Sequence, residues 1–383
     1  MKSSCGIILQ KHITKSMIMN YSSQLSLSSL SLTTTNHQDL ESKSKISIDK
    51  ILIDLKPLKI NSEKIIRCFA NLEKYRNMYA EALKEKGIDY FEVKNINPFK
   101  FVTRLKNDNI YYYLDLNVKL GDGTAKTVKS YYDCQKNTFV ALAFINFQPE
   151  EEEACLKKIQ KEYKISRKFN PILNQSIVKT RFLLKGSNHF VIGAEKCDAP
   201  LTKLFTYELP ENVKDSVMQQ ILGILSKLHE AGYAHRDIKE DNILFKVEGD
   251  EIVIKIADFG FACKKDWKPK YAWRGSPRYT APEVGRIKEM GKEEFFSQAD
   301  LTKMDMWAAG LVCYRLFKET WPPYFLASKN LKECLDNAFN LTHIPGLNPN
   351  DPRENLISKM LEIDPAQRIT AAGALEAAKE LNS

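Results

Sequence analysis

The sequence predicts an α+β chain of two unequal lobes, and three observations carry that reading. Between residues 99 and 147 apolar side chains recur in strand-like stretches. Beyond residue 212 they recur three and four apart, the spacing of one buried helix face. No apolar stretch approaches the roughly 20 residues that span a bilayer; residues 139–147 and 306–312 come nearest. Strands with one helix, followed by a mostly helical half, give the α+β class.

The 383 residues are 43% hydrophobic and 27% charged, which excludes global disorder. The net charge of +9 suits an anionic ligand as well as an ordinary basic surface. Nucleic acid is not expected as a partner, because no basic helix or aromatic–basic platform stands out. Eight cysteines are scattered without a C-x-x-C pair or a histidine at ligand spacing. Free thiols in a reducing compartment are expected rather than a zinc site.

Residues 1–45 form a Ser/Thr-rich tail with no acidic residue before Asp39. A tail without an address, an organelle transit peptide and an export signal all fit this composition. A cytoplasmic location is the first expectation, with a secreted effector or an organelle-targeted protein as alternatives. Residues 46–112 read as a partly helical extension. In it, Ile65, Phe69, Leu72, Tyr75, Tyr79 and Leu83 share one face of a helix over 62–86, stopped by Gly87. Residues 99–105 and 110–119 read as paired strands around Asn107-Asp108-Asn109, strands continue to residue 147, and a helix covers 149–169. One face of 213–229 carries Val217, Ile221, Leu225 and Leu228.

The residues that carry chemistry follow in a fixed order. His235-Arg236-Asp237-Ile238-Lys239-Glu240-Asp241-Asn242 is followed by Asp258-Phe259-Gly260, Gly275-Ser276-Pro277-Arg278-Tyr279 and Ala281-Pro282-Glu283. Asp305-Met306-Trp307, Gly310 and Arg368 come later. Together this set resembles the eukaryotic-type protein kinase family over roughly residues 113–380. The resemblance implies a bilobal fold, with an N-lobe over 113–197 and a C-lobe over 198–383. It implies ATP and Mg²⁺ as partners of the reaction and a protein hydroxyl as acceptor. Asp237 then accepts the acceptor's proton, Lys239 stabilises the transferred phosphoryl group, and Asn242 and Asp258 ligate magnesium. Lys239 and the Gly-Ser-Pro-x-Tyr segment point to Ser/Thr acceptors. Glu283 and Arg368 look like the family's buried structural ion pair, and Asp305 like a backbone anchor.

Leu120-Gly121-Asp122-Gly123-Thr124-Ala125-Lys126-Thr127-Val128 resembles the family's glycine-rich loop, with Lys126 at the third glycine position. The strand Phe139-Val140-Ala141-Leu142-Ala143 resembles the family's V-A-x-K strand, but Ala143 stands where the phosphate-binding lysine belongs. Glu162 resembles that lysine's usual partner. Three readings follow. Lys126 replaces the missing cation, as in the with-no-lysine kinases, whose loop is similar. Alternatively the chain is a pseudokinase, a nucleotide-binding interaction module. In the third, Ala143 is an engineered inactivating change in an active enzyme. Glu195 and Cys197 resemble the hinge, with Ala194 as gatekeeper. Six Lys and Arg residues between Lys264 and Arg278 face one Asp266, a balance that suits acidic acceptors or a solvated loop. Between Phe261 and Gly275 the one hydroxyl side chain is Tyr271.

Overall fold

The computed structural model describes residues 76–381 except 97–98, 107–108, 123–125, 137, 266–274 and 287–298. The expected tail, the helix before residue 76, Gly123 and most of the basic segment therefore lie outside the described residues.

The first element, α1 (Arg76–Glu85), is followed by a reversal at Gly87, whose φ of +58° is costly for any residue with a Cβ. Strands β1 (Tyr90–Ile96), β2 (Phe99–Lys106), β3 (Asn109–Asp122), β4 (Lys126–Asp133) and β5 (Thr138–Asn146) come next. A 3₁₀ turn (Pro149–Glu151) leads into α2 (Glu152–Leu173), then β6 (Thr180–Lys185) and β7 (His189–Glu195). Helix α2 runs four residues past its expected end. Pro171 sits in its last turn, where the missing N–H removes one hydrogen bond just before the chain leaves the helix.

The seven strands form one antiparallel sheet in the order β1-β2-β3-β4-β5-β7-β6. It runs through the expected boundary at 112/113, because β2 pairs with β3 from Phe101–Leu114 to Lys106–Asn109. One face of the sheet packs Ala143, Ile145, Phe190 and Ile192 on Ile159 of α2. The opposite face packs Tyr90, Val102 and Tyr113 from the first three strands against Phe182 and Leu184 of β6 in one cluster. β1 and β6 sit at opposite ends of the strand order, so the sheet is curled until its edges approach. Asp89 N–H donates to the Lys185 carbonyl at 2.8 Å, and Lys185 N–H donates to Asp89 Oδ2 at 2.8 Å. The Tyr90 hydroxyl meets the His189 imidazole there. Arg104 lies 4.2 Å from the Phe182 ring centroid, a cation–π contact inside the curl. Gly193 makes this packing possible: a Cβ there would stand 2.2 Å from the Phe182 ring.

The helical half begins after β8 (Ala199–Pro200) and a 3₁₀ stretch (Leu201–Thr206). Helix α3 (Glu211–Glu230) buries Val217, Ile221, Leu225 and Leu228, the face its spacing predicts. Then come β9 (Tyr233–Ala234), β10 (Ile243–Glu248), β11 (Glu251–Ile256) and β12 (Cys263–Lys264). Helix α4 (Leu301–Lys318) is buried along nearly its whole length, as suits a helix that is apolar all round. Asp300 caps it by accepting from Thr302 N–H. Helices α5 (Pro323–Leu326), α6 (Leu331–Phe339), α7 (Pro352–Met360) and α8 (Ala371–Glu380) complete the lobe. Among the described residues, no helix is long and apolar enough to cross a membrane.

Candidate active site

The site is assembled on the loop between β9 and β10, and helix α4 holds that loop. Asp305 Oδ2 accepts from His235 N–H and Oδ1 from Arg236 N–H, both at 2.7 Å. Those bonds fix a strained backbone, since Arg236 has φ +69°. The His229 ring adds a third contact to Asp305 at 3.0 Å. This is the anchoring expected of Asp305.

Asp237 sits in a dense polar set. Asn242 Nδ2 donates to the Asp237 carbonyl and to its Oδ2, each at 2.8 Å. Lys239 Nζ lies 3.1 Å from Oδ2, and the Ser276 hydroxyl donates to Oδ1 at 2.8 Å. Lys239 also donates to Ser276 Oγ at 2.7 Å. Residues 237, 239 and 276 thus meet at one point, although 37 residues separate Lys239 from Ser276.

Asn242 is joined to the second acidic motif through its carbonyl, which accepts from Ala257 N–H at 2.8 Å. The next residue, Asp258, has left-handed angles (φ 61°, ψ 74°), and its carboxylate accepts from Gly260 N–H. Phe259 packs between His235 (5.0 Å) and Phe169 of α2 (5.6 Å), so the turn is clamped from both lobes.

Lys126 starts β4. Its Nζ lies 3.2 Å from Glu162 Oε1 on α2 and 3.8 Å from Asp258 Oδ2. The register explains the reach. Lys126 pairs with Ile145 and Val128 with Ala143, so Lys126, Val128 and Ala143 share the face that packs toward α2. Burial alone would lower the Lys126 pKa, but the charges of Glu162 and Asp258 outweigh it and raise it. Burial raises Glu162, with Lys126 opposing. Burial also pushes on Asp258, yet Lys126 and Gly260 N–H hold it below the ordinary carboxylate value. At neutral pH the lysine is therefore an ammonium facing two acids.

Leu120 and Gly121 lie just before the end of β3, and Gly121 pairs with Val128. Ala141 pairs with Ala194, leaving small side chains at the sheet face beside Ala143. Glu195 does not present all its groups to the cleft. Its N–H donates to the Lys179 carbonyl at 2.9 Å, and its carboxylate accepts from Lys179 N–H and lies 3.3 Å from buried Lys255. Cys197 is buried, and burial pushes its thiol up to about 12. Glu283 and Arg368 form a buried bidentate pair, both contacts at 2.9 Å.

Three features escaped sequence reading. Phe169 is the last residue of the helix expected over 149–169 and belongs to none of the catalytic motifs. Lys255, buried against Glu195, carries no local signal in the sequence. Glu240 and Arg315, 75 residues apart, carry no shared local signal, yet they meet at 2.5 Å.

A strand-rich lobe followed by a helical one, an anchored Asp237 loop and a left-handed Asp258 turn define the class of the protein kinases. The chain belongs to the protein kinase domain family, whose description matches residues 114–378. Among curated proteins it is 26% identical over 272 residues to the calcium/calmodulin-dependent protein kinase type II alpha chain of Drosophila melanogaster, covering 68% of this chain and 48% of that one. It is 30% identical over 270 residues to the mouse serine/threonine-protein kinase SIK1 (68% and 32%). It is 27% identical over 321 residues to calcium-dependent protein kinase 6 of Plasmodium berghei (79% and 20%). The chain thus spans less than half the length of these relatives.

Proposed function

We propose that the chain is a Ser/Thr protein kinase that moves the γ-phosphoryl group of ATP to a protein hydroxyl, with Lys126 supplying the cation that Ala143 cannot. The observation that carries this reading is the Lys126–Glu162 pair at 3.2 Å, beside Asp258. A charged lysine at that point can meet phosphate oxygens from the strand above them. Leu120, Gly121, Val128, Ala141 and Ala143 would line the nucleotide's roof, and Glu195 and Cys197 its adenine end.

In the reaction, Asp237 takes the proton of the attacking hydroxyl. A bond forms from that oxygen to the γ-phosphorus, and the bond to the bridging oxygen breaks and releases ADP. Lys239 steadies charge on the group in transit. Asn242 and Asp258 would hold Mg²⁺, which neutralises phosphate charge when bound. The donor chemistry fits. The Asn242 amide nitrogen is engaged by Asp237, which leaves the amide oxygen, the atom suited to a hard cation, on the other side. Among the described residues no cluster of three or more His, Cys, Asp or Glu is set to hold a metal. A magnesium ion shared with phosphates needs only one or two protein oxygens.

Ser/Thr acceptors are supported by the Lys239–Ser276 contact and by the names of the relatives. The basic run from Lys264 to Arg278 supports an acidic flank on the acceptor. The unpaired cysteines among the described residues support a reducing, cytoplasmic setting.

The test is transfer of labelled γ-phosphate to generic protein acceptors by the chain, Lys126→Ala, Asp237→Ala and Ala143→Lys. Activity abolished by both alanine changes is expected. Nucleotide binding without transfer by the parent would instead identify a pseudokinase. A silent parent revived by Ala143→Lys would make residue 143 the lesion.

A further inference from the structure

Helix α4 grips the catalytic loop twice. Asp305 holds residues 235 and 236, and Arg315, ten residues or about 15 Å further along the helix, reaches Glu240. Glu240 is fully buried, and its Oε1 accepts from Arg315 Nη1 at 2.5 Å. Its Oε2 has no hydrogen-bond partner among the described residues. One guanidinium therefore compensates a whole buried carboxylate, placed next to Lys239 and three residues after Asp237.

Arg315 is itself held by aromatic faces. Its guanidinium carbon lies 4.8 Å from the Phe205 centroid and 4.4 Å from that of Trp321. Trp321 stacks on Phe325 at 4.6 Å and meets Tyr279 at 5.6 Å. Tyr279 lies three residues after Ser276, whose hydroxyl bonds Asp237. The contacts close a ring from Asp237 through Ser276, Tyr279, Trp321, Arg315 and Glu240 back to the catalytic loop.

We propose that Arg315 is a positioning residue that sets the catalytic loop and the Ser276–Tyr279 segment in register, so that Asp237 and Lys239 meet the acceptor hydroxyl. The proposal rests on the kinase reading. Losing Arg315 would leave Glu240 buried without its counter-charge and Trp321 without its cation. The nucleotide contacts at Lys126, Glu162 and Asp258 lie outside the ring, and Asn242 is held separately by Ala257 N–H, next to Asp258. Acceptor turnover should therefore suffer while ATP affinity does not.

The experiment compares the full chain with Arg315→Ala, Arg315→Lys and the double variant E240Q/R315M, which removes both charges at once. The expected result for Arg315→Ala is a fall in kcat of about 10- to 100-fold, a higher KM for the protein acceptor and an unchanged KM for ATP. Arg315→Lys should recover part of the loss. The double variant should melt near the parent's temperature and still be slow, which separates positioning from folding. Hydrogen exchange of residues 235–242 and 276–279 should quicken in both Arg315→Ala and the double variant. Full transfer by the double variant, or a parallel rise in both KM values, would overturn the proposal. If the parent transfers no phosphate, the kinase reading fails by itself. Hydrogen exchange then still decides the positioning claim, and unchanged protection would end it.

Discussion

Lys126 of β4 and Glu162 of α2 form an ion pair at 3.2 Å in a site to which the facing strand contributes only the apolar Ala143 and Ile145. A cation thus reaches Glu162 from β4, while residue 143 of β5 supplies none.

On the proposed reading, in which Lys126 serves for the lysine missing at 143, the two positions are exchangeable. Lys126→Ala should cut phosphoryl transfer by at least ~100-fold, the usual cost of one charge-stabilising donor. Adding Ala143→Lys to that variant should restore a measurable part, because both side chains share one sheet face. Initial rates with Asp237→Ala as the baseline check this. No recovery in the double variant would mean that the two positions do not serve one site.

The pair also sets a pH signature. Asp258 is depressed, so it contributes stability that is present above the unfolded carboxylate value of about 4 and is lost as pH falls through its folded value. Glu162 is raised by burial, so it costs stability as pH climbs through its folded value. Removing Lys126 takes away the charge that depresses one and restrains the other. The melting-temperature deficit of Lys126→Ala against the parent should therefore be larger at pH 8 than at pH 5. Thermal melts at both pH values decide it, and equal deficits would count against the coupling.

The family match begins at residue 114, but the sheet does not. A protein starting at residue 113 loses Tyr90, Phe101 and Val102, all buried. Each such side chain is worth about 1.5–3 kcal/mol, against a total stability of about 5–15 kcal/mol. Residues 113–383 alone should show no cooperative melt, whereas the full chain should. A sharp transition in the shorter protein would show that β1 and β2 are dispensable.

Gly193 and Phe182 should be coupled. Gly193→Ala forces a Cβ into the Phe182 ring and should cost about 1–3 kcal/mol. In a Phe182→Leu background the same change should cost clearly less. Denaturant unfolding of the four proteins gives the coupling energy, and simple additivity would refute the contact.

Much of this was legible in the sequence because the chemistry is local. His235 to Asn242 and Asp258 to Gly260 are short runs, and the gain of Lys126 with the lack of a lysine at 143 pointed to one site. The face of α3 followed its spacing. The curl of the sheet was not legible. Residues 99–105 and 110–119 read as strands, but nothing in their alternation says that Tyr90 will meet His189, 99 residues away. Glu240 and Asp241 are adjacent acids, and only tertiary packing decides that the first is buried and the second exposed.

The Glu283–Arg368 pair has a consequence for how the chain is made. Glu283 is buried with one guanidinium to answer it, and that guanidinium arrives 85 residues later. During synthesis the sheet of the first lobe can close once β7 has emerged. The second lobe must wait with an unanswered carboxylate until Arg368 leaves the ribosome. Its completion is therefore delayed by those 85 residues, and a nascent chain stalled between the two residues would be a substrate for chaperones.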